Sequence, residues 1–493
     1  MTKVESRERT EQATGQLGDI PPEEFRKHLH EIADWIADYR ENISQLPISP
    51  NAKPGHILSG LSLQAPEKGE SLDAILADVD RVVLPGIVHW AHPEFMGYFG
   101  ATTTAPGILA EMIAAAWNVN AMTWRTSPAA TELETRVLEW LQQWLGLPNE
   151  FQGVVYDTAS IGTMHALAAA REEAATSIRE RGIAGRPELP VFRIYASDQA
   201  HSSVEKAAIA LGVGETNVRR VPSDEAFCMD VSALHEAIET DLRSGYRPLA
   251  IVASVGTTST ASVDPVRKIA AVSRAHRTWL HIDAAYGGGL AVVPEARWAV
   301  DGFSEADSIV VNPHKMLFVP FDFSTLYVRD IDRLRRVFTL VPEYLRGDAA
   351  GAEINYMDYG VQLGRRFRAL KAWMVWRTFG REGLAARIRE HLRLAQLFSS
   401  WLERDYRFEL CAPTVMGVVC FRYKATEDAV ADELNRRLVQ TINAAGRTYL
   451  MQTRLRGRVV MRLGLGNILT TEDHLRHVWD IVRRAIDSDS NGS

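Results

Sequence analysis

Between about residues 105 and 370 the chain alternates between two hydrophobic periods. Short apolar runs rich in β-branched residues, at 191–195, 249–254, 279–282, 309–311 and 325–328, read as strands. Longer stretches such as 131–147 and 163–180 repeat their apolar positions every three or four residues and read as helices. The strand runs are nearly continuous in hydrophobicity, which predicts burial on both faces and hence a mainly parallel sheet covered by helices. Ligands of such sheets collect beyond the carboxyl ends of the strands, so the residues that follow each apolar run are the ones to search for chemistry.

The flanks read differently. A helix is predicted over 21–43, where Phe25, Leu29, Ile32, Ile36 and Tyr39 fall on one face. The extended stretch 45–66 follows, punctuated by Pro47, Pro50 and Pro54. Together they suggest an arm laid over another surface, either a second subunit or the chain's own large domain. Beyond residue 370, helical patterns at 372–379 and 384–402 break near Gly380 and Gly383. Strand patterns at 415–422 and 459–463 and a last helix at 471–486 then suggest a smaller α+β domain. The expected organisation is an N-terminal arm and helical segment (1–104), a large domain (105–370) and a small C-terminal domain (371–493), with no internal repeat.

Composition narrows the function classes. The 493 residues are 46% hydrophobic and carry a net charge of −7, a balance that gives no footprint for nucleic acid or an anionic membrane. No apolar run approaches the ~18 residues of a membrane span, and the polar start lacks a signal-peptide core. The three cysteines, Cys228, Cys411 and Cys420, match neither a metal knuckle nor a disulfide framework. A cytoplasmic protein without a metal site is the expectation.

Candidate chemistry begins at the run 308–311, which breaks at Asn312-Pro313 and presents His314 and Lys315. A lysine held at the end of a buried strand is a candidate Schiff-base nucleophile, and the carbonyl cofactor that dominates such sites is pyridoxal phosphate. A solvated lysine is the plain alternative, and other strand ends weigh against it. Asp283 follows the run 279–282 and suits a protonated pyridine nitrogen, although an aspartate there can also cap a helix. His201 lies in the loop after the run 191–195, where it could lie on a cofactor ring and bond a substrate carboxylate, or simply stand at the start of the following helix. Asp157-Thr158-Ala159-Ser160 precedes a helix read as beginning near Gly162, where hydroxyls and free N–H groups suit a phosphate or simply cap the helix. Thr258 follows another strand in the same way.

Five segments then carry a resemblance: Asn312 to Lys315, His281 to Tyr286, Ser197 to Ser203, Thr126 to Glu134 and Leu363 to Leu370. Together, and in their order along the chain, they resemble the group II pyridoxal-phosphate-dependent amino acid decarboxylases, nearest to the aromatic L-amino acid decarboxylase branch, over about residues 22–485. The resemblance implies an aspartate-aminotransferase-type (fold type I) α/β architecture and a homodimer whose site is completed across the two-fold. It implies that Lys315 carries the cofactor, Asp283 pairs with the ring nitrogen, His201 stacks on the ring and Ala285 packs on its other face. Thr258 would lie beside the ring substituents, while Ala159, Ser160, Asn312 and His314 would anchor the phosphate. A mobile loop corresponds to 339–345, with Tyr344 as proton donor to the α-carbon. The side-chain pocket corresponds to Trp90, Tyr98, Phe99, Gly100, Ala101, Asn120, Met122, Phe321, Leu363 and Gly364.

The activity implied is decarboxylation of an L-amino acid to its amine. Relatives that form aldehydes instead typically change the loop tyrosine or the stacking histidine, and both are present here. Gly364 leaves room for a large ring, which favours an aromatic substrate. Asn120, Met122, Gly100 and Met316 depart from the usual residues, and a polar Asn120 in a desolvated pocket would want a partner on the substrate. Acidic, diamino or branched-chain substrates therefore compete, as does an aminotransferase-like or non-catalytic cofactor-binding protein.

Overall fold

The computed structural model describes residues 18–175, 177–340 and 353–490. The chain divides into two compact units, one ending at His92 and the other beginning at Pro93.

In the first unit the helix Pro22–Asn42 starts with proline at its first turn and two glutamates, Glu23 and Glu24, where its exposed N–H groups favour negative charge. Trp35 stacks on Tyr39 (5.7 Å between ring centroids) and donates to Asp80 (2.8 Å), and the Tyr39 hydroxyl meets His89 Nδ1 at 2.8 Å. These contacts fold the later segment back on the helix. The apolar stripe read from the sequence is only partly covered within this unit: Ile32, Ile36 and Tyr39 are half-buried, while Phe25 and Leu29 stay exposed.

The second unit is built on a seven-stranded sheet of β1 (Gln152–Tyr156), β2 (Phe192–Ser197), β3 (Val218–Val221), β4 (Arg247–Ser254), β5 (Trp279–Asp283), β6 (Ser308–Val311) and β7 (Ser324–Val328). The spatial order is β1-β7-β6-β5-β4-β2-β3. Only β7 runs against the rest, pairing antiparallel with both β6 and β1, so six strands point one way. Strands β5, β6 and β7 are buried almost throughout, as their continuous apolar runs require. One consequence decides the position of the site. The carboxyl ends of β1, β2, β4, β5 and β6 line one edge of the sheet, and each is followed by one of the candidate segments.

Two close approaches tie this edge together. Gly162, in the first turns of the helix Ala159–Ala174, lies so near β6 that a Cβ there would sit 2.9 Å from Val310 Cγ2. Gly100 meets Gly466 backbone to backbone, where an added Cβ would lie 2.7 Å from the Gly466 Cα. The departure at Gly100 is thus explained by packing: only glycine leaves room for the second glycine.

Residues 369–404 form one long helical run in which Gly380 leaves helical geometry (φ 61°, ψ 171°), the break expected from the sequence. A four-stranded antiparallel sheet follows, comprising β8 (Phe408–Leu410), β9 (Val418–Tyr423), β10 (Met451–Leu455) and β11 (Arg458–Gly464) in the order β10-β11-β9-β8. Helices Asp428–Ala444 and Glu472–Ser490 accompany it. Phe398, Phe421, Leu438, Leu463 and Val482 form a core separate from that of the large sheet. No helix among the described residues is long and apolar enough to cross a membrane.

Candidate active site

Lys315 sits in a single helical turn, Pro313–Met316, at the carboxyl end of β6. Part of its side chain remains accessible, yet its amine is pushed down to about 8. Desolvation is the main cause and the Arg462 guanidinium adds to it, while the Asp283 carboxylate acts in the opposite direction. Its Nζ lies 4.8 Å from the centre of the Phe99 ring. The same ring packs at 4.1 Å on Tyr286 and lies under the Arg462 guanidinium at 4.7 Å. A lysine with a depressed amine in a partly desolvated site is a nucleophile at near-neutral pH.

Asp283 ends β5, in register with Ser254 on β4 and Val310 on β6. Its Oδ1 accepts the Ala285 N–H at 3.1 Å. Backbone bonds from Ala284 N to Val310 O (2.9 Å) and from Asn312 N to Ala285 O (3.2 Å) continue the pairing past the strand ends and hold Ala285 beside Asn312. Ala159, Ala285 and Val310 form a small apolar cluster of their own. The site therefore has a floor of small side chains.

His201 is exposed at the end of the β2 loop and accepts the Ser203 N–H on Nδ1 at 3.1 Å, which leaves its proton on Nε2 when neutral. Desolvation lowers its pKa, Lys315 lowers it further, and Asp283 opposes both, so the three groups feel one another's charge. His314 is buried and accepts the Phe323 N–H on Nδ1 at 3.0 Å, and burial pushes its pKa down to about 3. It is a neutral imidazole with Nε2–H to donate. Thr258 is exposed, and its N–H reaches Gln199 O at 3.4 Å.

The helix read as beginning near Gly162 begins at Ala159, and its N-cap residue Thr158 makes no side-chain cap. Ala159 and Ser160 thus belong to the first turn, whose N–H groups an anion would satisfy. Three nearly inaccessible oxygens on these strand ends and loops, Asn312 Oδ1, Ser203 Oγ and Ser254 Oγ, have no hydrogen-bond partner among the described residues. Such groups are costly when left alone: the two serine hydroxyls can donate to a polar, anionic ligand, whereas the Asn312 amide oxygen only accepts, so that residue would meet a phosphate through its Nδ2–H.

The pocket residues divide. Phe99 touches the lysine. Tyr98 is exposed, with φ 53°, and its carbonyl accepts Arg462 Nη1 at 2.6 Å. Gly364 lies next to Asn120, whose Nδ2 would be 3.9 Å from a Cβ there. Asn120 is exposed rather than desolvated. Its Oδ1 accepts the Arg365 N–H (2.9 Å) and its Nδ2 faces Met122 Sδ (3.5 Å), so the expected demand for a substrate partner is met within the protein. Met316 is buried in the main core against Gly289. Leu363 and Phe321 are exposed, Ala101 is half-buried, and Trp90 lies exposed in the first unit. Tyr344 lies outside the described residues.

Two contributors lie outside the candidate residues. Arg462, on β11, is nearly buried and is held by Ser259 O at 3.0 Å as well as by Tyr98. The second is a buried ion pair, Arg365 Nη2 to Glu134 Oε1 at 2.6 Å, which also bonds Val155 N and O on β1 (3.0 and 2.8 Å). The signal for the pair was present in two of the resembling segments, one holding Glu134 and the other Arg365.

Comparisons with known proteins agree with this geometry. Residues 54–424 match the pyridoxal-dependent decarboxylase conserved domain. Aromatic-L-amino-acid decarboxylase of Cavia porcellus is 38% identical over 481 residues, covering 94% of this chain and 98% of its own. Phenylacetaldehyde synthase of Arabidopsis thaliana is 36% identical over 479 residues, covering 95% and 96%. Among solved structures, Oryza sativa TDC with PLP and tryptamine superposes with a TM-score of 0.92 at 36% identity, over 96% of this chain and 99% of that one. A match over three quarters of the sequence, together with relatives aligned nearly end to end, makes this chain a member of the pyridoxal-dependent decarboxylase family, with the fold type I architecture and the pyridoxal phosphate cofactor of that family.

Proposed function

We propose that the protein decarboxylates an aromatic L-amino acid to its amine and carbon dioxide, acting as a cytoplasmic homodimer. The observation that carries this reading is the meeting of Lys315, Asp283 and His201 at one sheet edge with the Phe99 ring beside the lysine amine. Relatives named for aromatic amino acids and for tryptamine support the substrate class.

Pyridoxal phosphate supplies a carbonyl that captures an amino group and a ring that accepts the electron pair released with carbon dioxide. Lys315 would hold it and release it to the incoming substrate amine. Asp283 would keep a proton on the ring nitrogen, which is what makes the electron pair stable enough to form. Ala159 and Ser160 N–H groups, the Asn312 amide and the His314 Nε2–H would hold the phosphate, with Thr258 and Ala285 beside the ring. His201, with its proton on Nε2, would orient the substrate carboxylate. Tyr344 would deliver a proton to the α-carbon, and Tyr98, Phe99 and Gly364 would line the side-chain pocket.

Dimerisation is supported by apolar surface that one chain leaves open. Phe25 and Leu29 are exposed in the first unit. On the helix Ala105–Trp117 of the second, Leu109, Ile113 and Trp117 recur every fourth residue and are all exposed. Sedimentation of the holoenzyme at twice the chain mass tests this, and a stable monomer would contradict it.

Incubating the holoenzyme with L-tryptophan, L-tyrosine, L-phenylalanine and L-DOPA, beside L-glutamate, L-2,4-diaminobutyrate and L-valine, tests the substrate class. Amine is expected from the aromatic set. Exclusive turnover of the other set would overturn it.

Two further results are expected. Tyr344→Phe should retain cofactor but lose amine formation by about 100-fold or more, the usual worth of a positioned acid, with aldehyde, ammonia and peroxide appearing as dioxygen is consumed. Unchanged amine output would remove Tyr344 from its role. Because the Lys315 amine titrates near 8, only its neutral fraction can attack a carbonyl, and that fraction grows about tenfold per pH unit below 8 before levelling off. The rate at which apoenzyme recombines with pyridoxal phosphate should follow that curve. A rate still climbing above pH 9 would indicate an ordinary lysine.

A further inference from the structure

At the opposite edge of the large sheet, two helices bring together three side chains that the decarboxylase chemistry does not use. His235 and Glu239 stand one turn apart on the helix Val231–Arg243, and His276 is the last residue of the neighbouring helix Val266–His276. Strand β5 starts three residues after His276 and runs five residues to Asp283, so roughly 17 Å of strand, at ~3.3 Å per residue, separates this cluster from the cofactor end.

The distances discriminate between readings. His276 Nε2 lies 3.5 Å from His235 Nδ1 and 3.7 Å from Glu239 Oε1, and all three ligand atoms fall within 4.8 Å of one another. Both gaps are too long for a good hydrogen bond, whose heavy atoms approach to about 2.7–3.2 Å. They are close to the edge of a tetrahedron around an ion with bonds of about 2.0–2.1 Å, which is roughly 3.3 Å. A second trio, His28, Glu31 and Asp73, shows the contrast: His28 Nδ1 and Glu31 are already joined at 2.8 Å, a completed hydrogen bond with no room for an ion between them.

We propose that His235, Glu239 and His276 form a site for a divalent transition-metal ion of the zinc type, with the two imidazoles and one carboxylate as ligands and water completing the shell. Two nitrogens and one oxygen suit such an ion far better than magnesium or calcium. The site is open to solvent on one side: the His276 side chain is 11% accessible, that of Glu239 is 41%, and His235 is exposed. The nearest strong cation on the same helix, Arg274, is drawn away to Glu305. Bound metal would clip the two helices flanking β4 and β5 without touching the cofactor.

Calorimetric titration of the holoenzyme with zinc chloride, in buffer free of chelator and thiol, tests the site. One ion per chain is expected, and His235→Ala and His276→Ala should each weaken binding by at least about tenfold. Glu239→Gln should weaken it as well, and this nearly isosteric change keeps the test valid if a histidine variant fails to fold. Cofactor absorbance and decarboxylation should be unchanged in all three, while His28→Ala should bind zinc as the parent does. Failure of the parent to bind zinc, binding that survives all three substitutions, or binding that is lost in His28→Ala would each overturn the proposal.

Discussion

Lys315→Ala should abolish decarboxylation and remove the visible absorbance that purified holoenzyme owes to its cofactor. The expectation rests on what surrounds the amine. Desolvation and Arg462 press its pKa down to about 8 against the pull of Asp283, so the site holds a lysine poised to lose its proton. Covalent attachment both retains the cofactor and orients it, and losing both should lower turnover by at least about a thousandfold, judged by the effective molarities that well-placed groups provide. The fold should survive, because the Lys315 side chain makes no hydrogen bond among the described residues, its backbone bond to Asn312 O is kept, and alanine is smaller. Absorbance after gel filtration, together with amine release, checks the result. A variant that keeps the band and even a tenth of the activity would place the attachment elsewhere.

Glu134→Ala should cost the protein about 3–5 kcal/mol, the usual penalty for stranding one partner of a buried pair. Arg365 would lose its 2.6 Å partner while remaining almost wholly inaccessible, and the Val155 N–H would lose its acceptor. Little is left to compensate, since among the described residues the other polar and ring partners of the Arg365 guanidinium are the carbonyls of Ala121 and Val155 and the face of Tyr356 at 4.8 Å. The damage should reach the site, because β1 leads into Ala159 and Ser160, and the Arg365 N–H holds Asn120. Denaturant unfolding and cofactor retention measure the two effects. Glu134→Ala combined with Arg365→Met should recover part of the loss, because it removes the stranded charge. A change below about 1 kcal/mol for the single variant would mean that water or a neighbouring group already serves the guanidinium.

Much of the site was legible because its residues sit at the ends of apolar runs. Each large-sheet strand read from such a run lies within one or two residues of its observed bounds, so Asp283 stands at the end of β5, and Asn312, His314 and Lys315 just past the end of β6, as the sequence pattern predicts. Strands without such a run were not seen. In β1 the first two residues, Gln152 and Gly153, dilute the apolar signal, and β3 reads Val-Arg-Arg-Val with only its ends buried. The reversed direction of β7 is set by its partners rather than by its own residues. The helix start at Ala159 was missed because no capping side chain marks it.

Substrate-pocket chemistry was the least legible part. Asn120 read as a polar group awaiting a ligand because nothing in its neighbourhood of the chain shows that Arg365, 245 residues later, takes its carbonyl. Gly100 read as a departure with consequences for specificity, and it is instead fixed by the approach of Gly466. Arg462 carried no local signal at all, since its influence on Lys315 exists only when β11 is brought to the edge of the large sheet.

The most direct measurement of the central claim is the product balance of a single turnover. Holoenzyme mixed with carboxyl-labelled L-tryptophan or L-tyrosine should release carbon dioxide and the corresponding amine in equal amounts, with no dioxygen consumed. Cofactor-loaded enzyme that yields no labelled carbon dioxide from any aromatic amino acid, or that yields aldehyde in place of amine, would contradict it.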